Sequence, residues 1–194
     1  MTPRLLRCVV PLVSVVLLST SAAYARQSRV DNYKNNLAPY VGSPERAIEK
    51  MLDMANLKPG ETLYDLGCGD GRILIAAAKK YRAKAVGIEI SPRLAKLAAE
   101  EVKKAGVQDG VRVVHGDFMQ TNLSPANVVT LYLATTANES LRPNLERYLK
   151  PSTRVVSYDY PIPGWKPKDT SETEGRFGAT HTIYLYEVPD SLKK

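Results

Sequence analysis

Between Leu63 and Arg72 the chain reads L-Y-D-L-G-C-G-D-G-R, with glycines at 67, 69 and 71 and acids at 65 and 70. A short apolar strand here meets a tight turn and passes at once into a helix-forming segment. That succession constrains the fold more than any other stretch, because a strand running into a helix opens a crossover unit and requires a parallel sheet to receive it.

The rest of the sequence supplies such a sheet. Apolar runs at 62–66, 85–90, 111–115, 128–133 and 154–158 read as strands, and helical spacing recurs at 44–55, 72–80, 93–105 and 139–149. Ser43-Pro44 and Ser91-Pro92 each pair a capping residue with a proline suited to the first helical position. The expected fold is α/β, a Rossmann-like, mostly parallel sheet with helices on both faces and ligands at the carboxyl ends of the strands. Residues 182–188 (T-I-Y-L-Y-E-V) form a strong strand with no helix before it, so it is expected to run antiparallel at one edge, in a closing hairpin. A partner strand near 168–173 is expected to be poorly formed.

Composition narrows the class. With 194 residues and 44% hydrophobic side chains there is room for one sizeable core. Cys8 and Cys68 cannot build a disulfide framework, and with His115 and His181 they are too few for a zinc site, so no metal is expected. The net charge of +7 comes from scattered basic residues and singles out no anionic partner. Residues 1–25 lack acids, carry Arg4 and Arg7, continue in an apolar run and end in Ala23-Tyr24-Ala25. This reads as a secretory signal cleaved before Arg26, giving a secreted or periplasmic protein. The alternative is an uncleaved anchor, with membrane association through residues 8–25. Residues 26–42 form a polar lead-in, and 43–190 the folded domain.

The glycine spacing decides what the turn can hold. A dinucleotide fingerprint would place its third glycine at position 72, which is Arg72, and the G-K-[ST] of a phosphate-binding loop is absent. Acids at 65 and 70 beside backbone amides oppose phosphate and suit a cation. S-adenosylmethionine carries a sulfonium and an ammonium and no phosphate. Glu89, ending the next strand about 20 residues after the glycines, sits where a carboxylate accepts both ribose hydroxyls. Asp117 follows the third strand, where it can accept from the adenine amino group while Phe118 or Ile90 covers the ring.

The motifs D-x-G-x-G-x-G, G-I-E-I and G-D-F together resemble those of class I S-adenosylmethionine-dependent methyltransferases, over about residues 38–188. Three stretches are similar to a narrower group: Pro39 to Pro44, Val128 to Leu133, and Arg154 to Asp159 running on to Trp165. That group includes small bacterial methyltransferases and, more distantly, the mitochondrial protein-lysine methyltransferases of the adenine nucleotide translocase and the ATP synthase c subunit. The resemblance implies a seven-stranded sheet of order 3-2-1-4-5-7-6. It also implies that Tyr40, Val41 and Ser43 lie over the methionine end of the cofactor, alongside cofactor contacts from Asp65, Gly67, Gly69, Gly71, Glu89, Ile90, Asp117 and Phe118. Gly42 stands where many relatives carry proline.

The implied reaction is methyl transfer to an acceptor nitrogen, with protein lysine as the favoured acceptor. In-line displacement needs the nucleophile held in line with the methyl group, and a lysine must first lose its proton. Tyr132, Asn138, Asp159 and Tyr160, at or beyond the ends of strands 4 and 5, are the acceptor-side candidates. The N-P-P-Y signature of adenine and amide methylation is absent, Ala134-Thr135-Thr136-Ala137 standing in its place, so nucleic acid is not the expected partner. His115 and His181 read as ordinary strand residues, and Trp165, Tyr184 and Tyr186 as edge packing. Open alternatives are a small-molecule or lipid methyltransferase and an exported, non-catalytic nucleoside-binding protein.

Overall fold

The computed structural model describes residues 40–174 and 178–192. The expected signal or anchor segment and most of the polar lead-in lie outside the described residues. Along the chain run α1 (Glu45–Met54), β1 (Thr62–Leu66), α2 (Arg72–Tyr81), β2 (Lys84–Glu89), α3 (Pro92–Lys104), β3 (Val111–His115), β4 (Val128–Leu131), α4 (Thr135–Tyr148), β5 (Arg154–Tyr158), β6 (Asp169–Glu174) and β7 (Thr180–Glu187). The strands form one sheet in the order β3-β2-β1-β4-β5-β7-β6. All neighbours are parallel except β7, which runs antiparallel to both β5 and β6.

The central strands are buried on both faces, which is why β4 (V-V-T-L) shows no alternation. One apolar layer joins Ile48, Met51 and Leu52 of α1 and Leu74 of α2 to Leu63, Val128 and Val156. The other joins Leu141 and Leu145 of α4 to Leu66, Val129, Leu131 and Val155. The sheet thus fixes the carboxyl ends of β1, β2, β4 and β5 side by side.

Three expectations about elements change. Helix α1 begins at Glu45, with Pro44 at the cap position and no side-chain cap. Ser43 is buried instead, its carbonyl taken by Arg72. Helix α4 starts at Thr135 and contains Pro143. Its early start is hidden in the sequence because the polar Asn138 occupies a fully buried position on the inward face. Finally, β6 is a complete six-residue strand, paired with β7 from Asp169↔Leu185 to Glu174↔Thr180. Its sequence, D-T-S-E-T-E, has no apolar pattern because the strand is held by backbone pairing at the sheet edge, where acids discourage further strand addition.

Candidate functional site

The turn after β1 is shaped by glycines in the left-handed region, with φ of +80° at Gly67 and +56° at Gly69. The Gly67 and Cys68 amides both donate to the Ile88 carbonyl, tying the turn to β2. The next link is a side chain. Glu89, 6% exposed, accepts the Gly69 amide on Oε2 at 2.9 Å and the Ser91 amide on Oε1 at 2.9 Å. Each carboxylate oxygen therefore keeps lone-pair capacity for a ligand hydroxyl. Beneath the turn Cys68 is buried, which pushes its thiol up. It packs against Gly87, where a Cβ would lie 2.6 Å from the sulfur and 2.5 Å from Leu74 Cδ1.

Asp65 is buried at the end of β1 and accepts a hydrogen bond from Thr130 Oγ1 at 2.8 Å. Burial pushes its carboxyl up to about 7, and the charges of Glu89 and Asp70 add to that rise. Asp70 has the opposite fate: burial alone would raise it, but the Arg72 guanidinium, with Nε at 2.9 Å from Oδ1, holds it below the usual carboxylate range. Crowded carboxylates, one of them forced towards neutrality beside Glu89, favour a cationic ligand. A ligand with a sulfonium and an ammonium fits that donor set; among the described residues no group of acids, histidines and cysteines is arranged to hold a metal.

The segment before α1 folds onto this turn. Tyr40, 47% exposed, lays its ring against Gly69, so that a Cβ there would come within 2.5 Å of Cε2. Arg72 reaches from α2 to donate through Nη1 to the Ser43 carbonyl at 3.0 Å. Its guanidinium fills the space beside Gly42, where a Cβ would lie 2.7 Å from Cζ. Val41 is exposed beside them. After β3, Asp117 is half-buried and accepts from the Met119 amide at 2.8 Å. Phe118 is buried in the core, whereas Ile90 is partly exposed.

At the ends of β4 and β5 the four acceptor-side candidates come together with two residues that sequence reasoning passed over. Tyr132 meets Tyr158 edge-on at 4.7 Å between centroids and stacks with Tyr160 at 6.3 Å. Tyr158 in turn stacks with His181 at 5.3 Å. His181 Nδ1 lies 3.1 Å from Asp159 Oδ2. Asn138, fully buried, donates to the carbonyls of Tyr160 at 3.1 Å and Pro161 at 3.3 Å, clamping the loop that carries Asp159 and Tyr160. Among the described residues Asn138 Oδ1 and the Tyr158 hydroxyl are buried without a hydrogen-bond partner, and burial pushes Tyr158 up to about 12.

Tyr158 was hidden as the last residue of an apolar strand. His181 lacked any neighbouring motif, since its partner Asp159 is brought to it only by the antiparallel pairing of β5 with β7. His115, by contrast, contacts the Ile90 carbonyl at 3.1 Å. Trp165 and Tyr186, expected as edge packing, are instead buried in the core, where their rings meet edge-on at 5.7 Å, because β6 and not β7 forms the sheet edge.

Comparison with known proteins places this geometry. The ANTKMT methyltransferase domain family matches residues 65–169. A protein-lysine N-methyltransferase of Saccharolobus islandicus is 44% identical over 151 residues, covering 77% of this chain and 93% of that protein. The adenine nucleotide translocase lysine N-methyltransferase of Mus musculus is 35% identical over 129 residues, 66% of this chain but only 56% of the mouse protein. Among solved structures, an RNA methyltransferase from Salinibacter ruber in complex with S-adenosyl-L-homocysteine superposes with a TM-score of 0.72 at 42% identity, covering 79% of this chain and all of that one. The glycine turn, its acids and the seven-stranded sheet are therefore those of an S-adenosylmethionine-dependent methyltransferase, and the chain belongs to the ANTKMT methyltransferase domain family.

Proposed function

We propose that this protein is a protein-lysine N-methyltransferase, with Asp65, Glu89, Asp117 and the glycine turn holding S-adenosylmethionine and Tyr132, Asp159 and Tyr160 facing the acceptor. The observation that carries the reading is the 44% identity to a protein-lysine N-methyltransferase along nearly the whole of that relative. The chemistry of the acceptor end agrees with it. Aromatic faces and one carboxylate complement an ammonium group, which carries a positive charge and three N–H donors.

The name of the Salinibacter relative raises a second reading, an RNA acceptor. The acceptor side argues against a polyanion: exposed Asp169, Glu172 and Glu174 line the adjoining edge strand, and phosphates approaching them are repelled. The N-terminal segment adds a further proposal, that residues 1–25 export or tether the enzyme. No helix among the described residues is long and apolar enough to cross a membrane.

The test is transfer of labelled methyl from S-adenosylmethionine by the full chain, with Glu89→Ala as control, into separated protein, RNA and lipid fractions of a cell extract. Label recovered as methyl-lysine after hydrolysis supports the proposal. Label confined to RNA or to the solvent-extractable fraction overturns it. Sequencing the mature amino terminus decides between cleavage before Arg26 and retention of Met1.

A further inference from the structure

Resting on the lysine reading, we infer that His181, paired with Asp159, is the group that takes the proton from the acceptor ammonium before methyl transfer. The methyl donor's sulfonium charge can only be neutralised by a nucleophile with a free lone pair, and a lysine acceptor arrives protonated, so something at the acceptor end must receive a proton.

Position comes first. Leu66, Leu131 and Ser157 stand level across β1, β4 and β5 in the parallel register. Gly67, Tyr132 and Tyr158 follow one residue later, so the tyrosines flank the turn that receives the donor; with strands about 4.8 Å apart, β5 lies about 10 Å from β1. The Leu133 side chain, just beyond β4, lies close beside Gly67, where a Cβ would meet its Cδ2 at 3.4 Å. Tyr158 pairs across to Ile183, which brings His181 beside the end of β5.

The pair is then built like an acid–base unit. His181 Nδ1 is buried and lies 3.1 Å from Asp159 Oδ2, within ion-pair distance but outside hydrogen-bond alignment. At that distance the carboxylate offsets the charge the ring takes on when it is protonated. Asp159 itself sits in the left-handed region at φ +71°, an unusual conformation for a residue with a side chain, and its amide is fixed to the Thr182 carbonyl at 2.7 Å. Opposite His181 on β6 stands Thr173, which is uncharged, so Asp159 is the acid paired with this ring in the sheet. The stacked Tyr158 ring holds the plane of the imidazole.

The step balances. The imidazole accepts one proton from the lysine ammonium and becomes imidazolium. The freed nitrogen lone pair forms the new N–C bond as the S–C bond breaks, its electron pair returning to sulfur to give a neutral thioether. The methylated ammonium carries the positive charge away, and the imidazolium returns its proton to solvent through a ring that is partly exposed.

The experiment compares full-length wild type, His181→Ala and Asp159→Asn, using labelled S-adenosylmethionine and nucleic-acid-free protein extract as acceptor, with S-adenosylhomocysteine affinity and melting temperature measured in parallel. His181→Ala is expected to lower kcat by roughly 10²- to 10⁴-fold, the range for loss of a positioned base, with ligand affinity unchanged. Added imidazole is expected to restore a substantial part of the rate to His181→Ala and none to wild type. Asp159→Asn is expected to lower kcat less, without rescue. A wild-type rate in His181→Ala, or a loss that imidazole does not relieve while affinity and melting are kept, overturns the inference and leaves the lysine reading standing. Absence of methyl-lysine with the wild type fails the lysine reading instead. Should His181→Ala not fold, a wild-type rate in Asp159→Asn overturns the pair.

Discussion

The amide of Gly69 donates to Oε2 of Glu89 across 2.9 Å, so the carboxylate that ends β2 also sets the shape of the turn that ends β1. Its other oxygen holds the Ser91 amide at the start of α3. One buried side chain thus positions two amides and retains lone pairs for a ligand. Glu89→Ala leaves both amides buried and unpaired, at about 1–3 kcal/mol each. The expected outcome is loss of measurable S-adenosylhomocysteine binding by calorimetry. Glu89→Gln keeps one acceptor and is expected to bind roughly 10- to 100-fold more weakly than wild type, as for loss of a charge-assisted bond.

Asp65 connects the site to pH. Burial holds its carboxyl near 7 against an ordinary 3.8, so between those values the folded chain binds a proton that the unfolded chain has lost. Stability contributed by this group therefore falls as pH rises from about 4 to 7, by on the order of 4 kcal/mol at most. Asp65→Asn is expected to flatten that part of the stability-versus-pH curve in denaturant titrations, since the amide keeps an acceptor for Thr130. A cationic ligand favours the ionised carboxylate, so binding near pH 6 is expected to release protons. Calorimetry in buffers of different ionisation heat reads that release directly.

Gly42 has a neighbour that explains it. A Cβ there meets the Arg72 guanidinium at 2.7 Å, and that guanidinium also holds Asp70 and the Ser43 carbonyl. Because the obstructing group is the far end of a flexible side chain, Gly42→Ala is expected to cost less than about 1 kcal/mol in stability. Shifting the guanidinium disturbs the Tyr40 to Ser43 segment that folds over the glycine turn, so the KM for S-adenosylmethionine is expected to rise by up to about tenfold, with kcat little changed.

Asn138 acts through the loop it clamps. Removing its amide leaves the Tyr160 and Pro161 carbonyls without that donor. Asn138→Ala is expected to destabilise by about 2 kcal/mol, lowering the melting temperature by about 4–8 °C. Its kinetic signature is a fall in kcat with S-adenosylhomocysteine affinity retained, because the clamp serves Asp159 and Tyr160 and does not touch the glycine turn.

What the sequence determined by itself is local in its physics. The D-x-G-x-G-x-G turn, the alternation of strand and helix and the acids at strand ends are short-range patterns. From them, and from the family they resemble, came the seven-stranded order, the antiparallel last strand and the cationic methyl donor. The elements that resisted were those whose reasons lie elsewhere in the chain. Strand β6 has no apolar pattern because β7 supplies its bonding, and the start of α4 was masked because buried Asn138 answers to carbonyls about 22 residues away. The Ser43 carbonyl is taken by Arg72, 29 residues along the chain. The same holds for the pair that matters most to the proposed chemistry: His181 and Asp159 are 3.1 Å apart only because β5 and β7 pair antiparallel, a contact that neither residue's neighbours in sequence could announce. Tertiary structure decided the acceptor side, because its parts meet only after the sheet has brought distant strand ends together.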